Sequence, residues 1–190
     1  MFGLDWNDTK NGTTIIERNG VEKWTVTIVD TGLTSMTGGR LARVKKYIGN
    51  ETFMMTYGDG VSDINIKSLL EFHRKEGVLA TVTAVKTPGR FGSFRLEAGE
   101  TRVEHFREKA EDDGTRINGG FFVLEPEVFN YIKNDQTVWE QEPLQQLSKE
   151  GKLAGYRHDG FWQPMDTLRD KNVLEEIWEK GDAPWKVWKN

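Results

Sequence analysis

The chain has 190 residues, 36% of them hydrophobic and 29% charged, which suits one globular domain and excludes a disordered segment. Its net charge of −4 argues against a nucleic-acid-binding protein, because such proteins carry clustered positive charge. It has no cysteine, which excludes disulfides and thiolate metal sites, and no apolar run of membrane-spanning length. We therefore expect a single domain over residues 1–190, with no secretory leader, that acts in the cytoplasm and not at a membrane.

The predicted elements alternate between strands and helices. In chain order, hydrophobic patterning predicts strands at 13–17 and 24–30, a helix at 38–47, a strand at 52–57, a helix at 66–76, strands at 79–85, 93–96, 101–106 and 121–124, a helix at 142–150, a strand at 153–157 and a helix at 167–180. Asn19-Gly20 supplies a turn between the first two strands, and Asp63 and Gly77 are expected to begin and end the helix at 66–76. This alternation predicts an α/β fold whose sheet is mostly parallel, with ligands at the carboxyl ends of its strands.

The first candidate for chemistry follows the predicted strand at 52–57. There the sequence Gly58-Asp59-Gly60 places a carboxylate between two glycines. Glycine lets a ligand approach the backbone closely, and a carboxylate suits Mg²⁺, which binds one or two carboxylates together with phosphate oxygens. An ordinary Asp-Gly turn remains the alternative.

A second carboxylate, Asp166, follows an aromatic strand and precedes a predicted helix. By itself this pattern favours a capping role, in which Asp166 or Thr167 begins the helix. Together with Asp59, however, Asp166 would complete a two-carboxylate Mg²⁺ site.

Two further segments have the composition of a binding site. The polar loop at 31–40 enters a helix, and its amides and hydroxyls suit a base or an anion, although a solvated loop fits equally. Glu108-Lys109, followed by Asn118-Gly119-Gly120, combines an acceptor for sugar hydroxyls with a cation for phosphate, although a surface ion pair is an equal alternative.

Taken in order, these segments carry a family resemblance that runs from about residue 24 to the C-terminus. The motifs are Val29-Asp30-Thr31-Gly32, Ser35-Met36-Thr37-Gly38-Gly39-Arg40-Leu41, Thr56-Tyr57-Gly58-Asp59-Gly60, Pro88-Gly89-Arg90-Phe91-Gly92, Ile117-Asn118-Gly119-Gly120-Phe121-Phe122-Val123, Trp139-Glu140-Gln141-Glu142-Pro143 and Gly160-Phe161-Trp162-Gln163-Pro164-Met165-Asp166-Thr167-Leu168-Arg169-Asp170-Lys171. This set resembles the glucose-1-phosphate cytidylyltransferase family of sugar-nucleotide pyrophosphorylases.

The resemblance implies a Rossmann-like, GT-A-like nucleotidyltransferase fold with a mixed, mostly parallel sheet. It implies that CTP and glucose 1-phosphate are converted to CDP-glucose and pyrophosphate with Mg²⁺ as cofactor, for dideoxysugar and O-antigen synthesis. The implied Mg²⁺ ligands and catalytic residues are Asp59 and Asp166. The implied nucleotide contacts are Ser35, Arg40 and Gly58, and the implied sugar-phosphate contacts are Gly92, Glu108, Lys109, Asn118 and Gly119.

The chain departs from the family pattern in one large respect. Members begin with a strand and a Gly-Gly-x-Gly-Thr-Arg loop, followed by a Pro-Lys-Pro segment, and neither occurs in these 190 residues. We therefore expect an N-terminally incomplete enzyme, inactive or impaired by itself. The alternative is a non-catalytic remnant that binds a sugar nucleotide or assembles with a homologue. A third hypothesis is a metal-dependent glycosyltransferase using Asp59 and Asp63.

The missing strands also predict how the chain associates. Unpaired strand edges invite pairing with another chain, so an edge at 52–57 or at 79–85 predicts a homo-oligomer, or a swapped strand from Met1–Lys23 that covers the edge.

Overall fold

The computed structural model of the chain describes residues 7–9, 13–16, 26–86, 93–95, 104–107 and 116–188. The chain divides into two compact units, one of Met1–Glu51 with Pro126–Gln146 and one of Thr52–Glu125 with Leu147–Asn190. The expectation of a single domain stays a prediction. In the described ranges, no helix combines the length and apolar character needed to cross a membrane.

The first unit contains a three-stranded antiparallel sheet. Its strands are β1 (Asn7–Thr9), β2 (Thr13–Ile16) and β3 (Val26–Val29), in that order. The pairing of β2 with β3 confirms the two strands predicted around Asn19-Gly20. Helix α1 (Thr37–Ile48) follows, and a 3-10 helix (Pro126–Tyr131) belongs to the same unit.

Two glycines allow the start of α1 to pack directly against a backbone segment of its own unit. A Cβ atom at Gly39 would lie 2.3 Å from the carbonyl oxygen of Asp135, and one at Gly38 would lie 2.7 Å from that of Thr137. No larger residue fits at either position without moving the segment. Close packing of the helix start therefore explains both glycines.

The second unit contains the remaining elements. They are β4 (Phe53–Thr56), β5 (Gly60–Ser62), α2 (Ile66–Glu76), β6 (Ala80–Val85), β7 (Ser93–Arg95), β8 (Glu104–Arg107), β9 (Ile117–Leu124), α3 (Glu142–Lys149), β10 (Leu153–His158), β11 (Trp162–Pro164) and α4 (Leu168–Glu179), with the boundary between units inside α3. The described strands form a four-stranded sheet in the order β10-β6-β9-β4 and two ribbons, β5 with β11 and β7 with β8.

The mixed α/β sheet confirms the predicted fold class. Strand β6 pairs in parallel with β10, whereas β9 runs antiparallel to both β6 and β4, so the parallel share is smaller than the sequence suggested. Among the described strands, β4 is at an edge, as one prediction had it. The alternative prediction of an edge at 79–85 is wrong, because β6 lies between two partners.

Helix α2 has the predicted length, but Asp63 does not cap it. The side chain of Asn65 accepts the Ser68 amide at 3.0 Å, and Gly77 ends the helix in the left-handed conformation that favours glycine. Leu69, on the inner face of α2, is buried with Ile64 and Val123, so the core of this unit lies between the helix and the sheet.

Candidate active site

Strands β5 and β11 form a short antiparallel ribbon, and the candidate residues Asp59 and Asp166 lie at the same end of it. Gly60 lies opposite Pro164 in the antiparallel register. One residue further along, the amide of Met165 donates a hydrogen bond of 2.7 Å to the carbonyl oxygen of Asp59. Asp59 therefore precedes β5, and Asp166 follows Met165, at the same end of the ribbon.

Helix α4 is capped by Thr167, the neighbour of Asp166, and not by Asp166 itself. Thr167 is the N-cap of α4: its hydroxyl accepts the Asp170 amide at 3.2 Å, and the Asp170 carboxylate accepts the Thr167 amide at 3.1 Å. This reciprocal pair is a capping box, and it leaves Asp166 with no part in starting the helix.

Both candidate carboxylates are exposed and available to a ligand. Within the described ranges, neither Asp59 nor Asp166 has a side-chain hydrogen bond or an ion pair with the protein. The same ranges contain no cluster of three or more His, Cys, Asp or Glu residues suited to a metal. Any metal here would have two carboxylate ligands and would need oxygens from its substrate, which is the mode that Mg²⁺ favours.

A three-residue segment of β9 fixes the strand end from which the Asp59 loop departs. The side chain of Asn118 donates to the Tyr57 hydroxyl at 2.9 Å and accepts the Gly120 amide at 2.8 Å. The Tyr57 amide in turn donates to the Gly120 carbonyl at 2.9 Å. These contacts give Asn118 a positioning role, and its predicted contact with a sugar phosphate stays a prediction.

The three glycines of this region serve different purposes. A Cβ atom at Gly119 would lie 2.7 Å from Val85, and Gly120 has φ +77° with the Tyr57 ring 2.8 Å from its Cβ position, so packing explains both. At Gly58, by contrast, a Cβ atom would meet nothing within 4 Å. Gly58 therefore borders open space, and its predicted contact with the nucleotide stays a prediction.

In the first unit, the loop at 31–36 is braced by Arg40. The guanidinium donates to the Thr31 hydroxyl at 2.9 Å and to the Leu33 carbonyl at 3.3 Å. Ser35 is buried in the same loop. Ser35 thus lies in the loop that Arg40 braces from α1, and the predicted nucleotide contacts of these two residues stay predictions.

The amides of Met36, Gly38 and Gly39, around the start of α1, are engaged within the unit, contrary to the expectation of free amides there. Gly38 and Gly39 both donate to the Thr137 carbonyl, at 2.9 and 3.3 Å, and Met36 donates to the Asp135 carbonyl at 2.8 Å. The Asp135 side chain accepts from Nε of Arg43 at 2.9 Å, and this hydrogen bond lowers the pKa of Asp135. These three amides are therefore bonded to carbonyls of their own unit.

Three of the predicted sugar-phosphate contacts lie outside the described residues. They are Gly92, Glu108 and Lys109. The flanking strands β7 and β8 pair antiparallel, with Ser93 opposite Arg107.

The structure does not favour a metal shared by Asp59 and Asp63. These residues lie at opposite ends of β5, and four residues of extended chain span about 13 Å. Asp63 is engaged elsewhere, because its Oδ1 lies 3.0 Å from Nε2 of His158. The two atoms lie in contact without the geometry of a hydrogen bond, and Asp63 Oδ1 is buried.

Sequence reasoning missed the role of Trp162. Its indole N–H donates to the carbonyl of Gly119 at 2.8 Å, joining the β5–β11 ribbon to β9. The short strand β5 was also missed, because three residues containing a glycine show no periodicity.

Comparisons with known proteins identify the family of the chain. The nucleotidyl transferase family model matches residues 21–167. Glucose-1-phosphate cytidylyltransferase of Salmonella typhi is 56% identical over 174 residues, which cover 91% of this chain and 67% of the relative. The chain belongs to the glucose-1-phosphate cytidylyltransferase family of nucleotidyl transferases.

Two further comparisons extend that result. A probable glucose-1-phosphate cytidylyltransferase of Bacillus subtilis is 45% identical, with 98% of this chain and 76% of the relative covered. The crystal structure of HddC from Yersinia pseudotuberculosis matches with a TM-score of 0.59 at 19% identity, covering 80% of this chain and 65% of that one. At that identity the match supports the fold alone. The chain thus spans about two thirds to three quarters of its relatives' length.

Proposed function

We propose that this chain carries the metal-binding carboxylates and part of the substrate pocket of a glucose-1-phosphate cytidylyltransferase. In that reaction a phosphate oxygen of glucose 1-phosphate bonds to the α-phosphorus of CTP. The bond between the α-phosphorus and the bridging oxygen breaks, and pyrophosphate leaves with that oxygen. The observation that carries the proposal is the placement of Asp59 and Asp166 at one end of the β5–β11 ribbon in a chain of this family.

The carboxylates of Asp59 and Asp166 would hold Mg²⁺. When bound, the ion neutralises phosphate charge and holds the phosphate oxygens in place, which is how metals assist phosphoryl transfer. The fit rests on two exposed carboxylates with no protein partner in the described part of the chain.

The remaining residues of the proposed pocket divide by substrate. We propose that Ser35 and Arg40 in the first unit contact the nucleotide, and separately that Gly58 in the second unit does so. Asn118 and Gly119, with Gly92, Glu108 and Lys109, would form the sugar-phosphate side. CDP-glucose made in the cytoplasm would then serve dideoxysugar and O-antigen synthesis.

A second candidate function is binding without turnover. No Gly-Gly-x-Gly-Thr-Arg segment occurs in these 190 residues, so the amides and cations that such a loop gives to the triphosphate have no counterpart here. Phosphoryl transfer depends on such preorganised charge. This polypeptide would then bind a sugar nucleotide or complete its site with another chain.

Association with further copies is part of the proposal. Strand β4 is at an edge of the sheet formed by the described strands, and its Met54 is 46% exposed. Open, partly apolar strand edges favour pairing, so we propose a homo-oligomer that covers β4.

Calorimetry with CDP-glucose tests the proposed binding site directly. We expect binding in the presence of Mg²⁺, and we expect Asp59→Asn and Asp166→Asn to abolish the part of the affinity that depends on Mg²⁺. The control Asp182→Asn, at an exposed aspartate with no ion pair among the described residues, should bind as wild type. Absence of CDP-glucose binding, or binding that neither site variant changes, would contradict the proposal.

A pyrophosphate-release assay on the same preparations separates the two candidate functions. Turnover in the ordinary range of about 1–10³ per second that Asp59→Asn abolishes favours the enzyme. Binding of CDP-glucose without turnover favours the second candidate.

A further inference from the structure

We propose that Trp162 is a positioning residue for the carboxylate pair, acting through its indole N–H. By anchoring the β5–β11 ribbon to β9, it sets where Asp59 and Asp166 lie relative to the sheet. The inference rests on the proposed metal site and adds a residue that the reaction itself does not require.

The anchor point is closely packed. Trp162 Nε1 lies 2.8 Å from the carbonyl oxygen of Gly119, which lies in β9 at the irregularity in its pairing with β6. Gly119 is buried, and its Cβ position is 2.7 Å from Val85 and 3.1 Å from the Thr83 carbonyl. The hydrogen bond from Trp162 therefore ends on a buried, closely packed part of the sheet.

The indole reaches the end of the ribbon that carries the carboxylates. The backbone of Trp162 is paired with Ser62, at the far end of β5 from Asp59. Its Nε1 atom, however, lies 3.7 Å from the Cβ position of Gly60, next to Asp59 in sequence. The side chain therefore runs along the ribbon, and its hydrogen bond secures the end where Asp59 and Asp166 lie.

The ribbon needs such an anchor, because a two-stranded ribbon with three residues per strand is marginally stable alone. Its far end is held by Ser62, which donates to the Phe161 carbonyl at 2.6 Å and lies 3.2 Å from His158 of β10. At the end that carries Asp59, the Gly119 carbonyl accepts the hydrogen bond from Trp162. The neighbouring residues Asn118 and Gly120 are both hydrogen-bonded to Tyr57. One β9 segment thus fixes both flanks of the Asp59 loop.

Removing the donor while keeping an aromatic ring should loosen the carboxylates without unfolding the unit. In Trp162→Phe the Gly119 carbonyl loses this partner. Residues that orient metal ligands through hydrogen bonds typically contribute about 10–100-fold to metal affinity, so we expect a loss in that range. The Met165 amide, which bonds to Asp59, should exchange with solvent about tenfold faster.

The experiment compares wild type, Trp162→Phe, Asp59→Asn and the control Trp185→Phe. Trp185 is also half-buried, in the same unit, and its ring packs on Phe161 at 5.2 Å. Free Mn²⁺ is followed by electron paramagnetic resonance in the presence of CDP-glucose, and hydrogen exchange at Met165 is measured by NMR without metal. Urea midpoints show whether each variant is folded.

The result expected is weaker Mn²⁺ binding and faster Met165 exchange in Trp162→Phe, with Trp185→Phe like wild type in both. Unchanged Met165 exchange, or faster exchange with unchanged Mn²⁺ affinity, would overturn the positioning role. If wild type binds no Mn²⁺, or Asp59→Asn binds it as wild type does, the proposed metal site fails, and this inference fails with it.

Should Trp162→Phe not fold, benzothienylalanine at position 162 replaces it. That residue keeps the fused ring and has sulfur in place of the N–H, so packing is retained and the donor alone is lost. The same two readouts then decide the matter, with the same expected and contrary results.

Discussion

The Met165 amide donates a hydrogen bond of 2.7 Å to the Asp59 carbonyl oxygen, and this contact joins segments that are distant in the chain. Because Asp166 follows Met165, the bond places both candidate metal ligands at one end of the β5–β11 ribbon. Thr167 and Asp170 cap the following helix between them. Asp166 therefore does not cap helix α4, although its position before the helix suggests that role.

Replacing Gly120 by alanine should destabilise the chain by about 2–5 kcal/mol, since a left-handed backbone and a steric clash both contribute. Gly120 has φ +77°, and a Cβ atom there would lie 2.8 Å from the Tyr57 ring. Gly151, with φ +68° and open space around its Cβ position, is the control, and Gly151→Ala should cost only about 1–2 kcal/mol. Urea unfolding measures both, and equal losses would mean that the Tyr57 contact is unimportant.

The substitution Gly39→Ala reverses the usual effect of glycine in a helix. Alanine at an interior helix position ordinarily stabilises by about 0.5–1 kcal/mol. At Gly39 the added Cβ would lie 2.3 Å from the Asp135 carbonyl, so we expect a loss of about 1–3 kcal/mol. The control is Ala42→Gly in the same helix, which should lower the free energy of unfolding by about 1 kcal/mol, because glycine has a low helix propensity. A Gly39→Ala variant more stable than wild type would refute the close packing of α1.

Acid should weaken the contacts of Asp159. Its carboxylate accepts from Arg116 at 2.6 Å, and this hydrogen bond holds the pKa of Asp159 below its ordinary value. The folded pKa is thus lower than the unfolded one of about 3.9. The stabilisation is complete above about pH 4 and is lost as the pH falls through the folded value.

The melting temperatures of wild type and Asp159→Asn measure this effect. We expect wild type to melt higher at pH 7, and the difference to be smaller at an acidic pH below about 4. Asp182→Asn, at a residue with no ion pair in the described part of the chain, should match wild type at both pH values. If the difference in melting temperature between wild type and Asp159→Asn stayed the same or grew in acid, the pKa of Asp159 could not be lowered by folding.

Self-association should depend on β4. Sedimentation velocity is expected to show a homo-oligomer for wild type and a shift toward monomer for Met54→Lys, because a charge on an edge strand opposes pairing. Ile66→Lys is the control, since Ile66 is similarly exposed, at 42% against 46%, but lies on helix α2. A wild-type monomer would contradict the proposed association.

Local signals in the sequence predicted most helices and strands well. Helix α2 has the predicted bounds, because buried Leu69 and His73 share one face and Gly77 provides a clear stop. The N-cap of α2 was assigned to Asp63 instead of Asn65, since both residue types cap helices well. The contact of Asp63 with His158 depends on the tertiary fold, so the sequence does not show it.

Tertiary contacts explain what the sequence did not predict. Asn118-Gly119-Gly120 was read as leading into a strand, yet these residues lie within β9, where close approach of Tyr57 and Val85 requires glycine. The hydrogen bond between Trp162 and Gly119 has no local signature at all. The polar loop before α1 suggested free amides, which Thr137 and Asp135 occupy from a distant segment.

A crystal structure of the chain with CDP-glucose and Mn²⁺, read by anomalous scattering, tests the central claim most directly. We expect one manganese peak with carboxylate oxygens of both Asp59 and Asp166 at about 2.1 Å, and a phosphate oxygen completing its shell. Two ligands at that distance cannot be more than about 4.5 Å apart. A manganese ion bound elsewhere, or carboxylates farther apart than this with CDP-glucose in place, would contradict it.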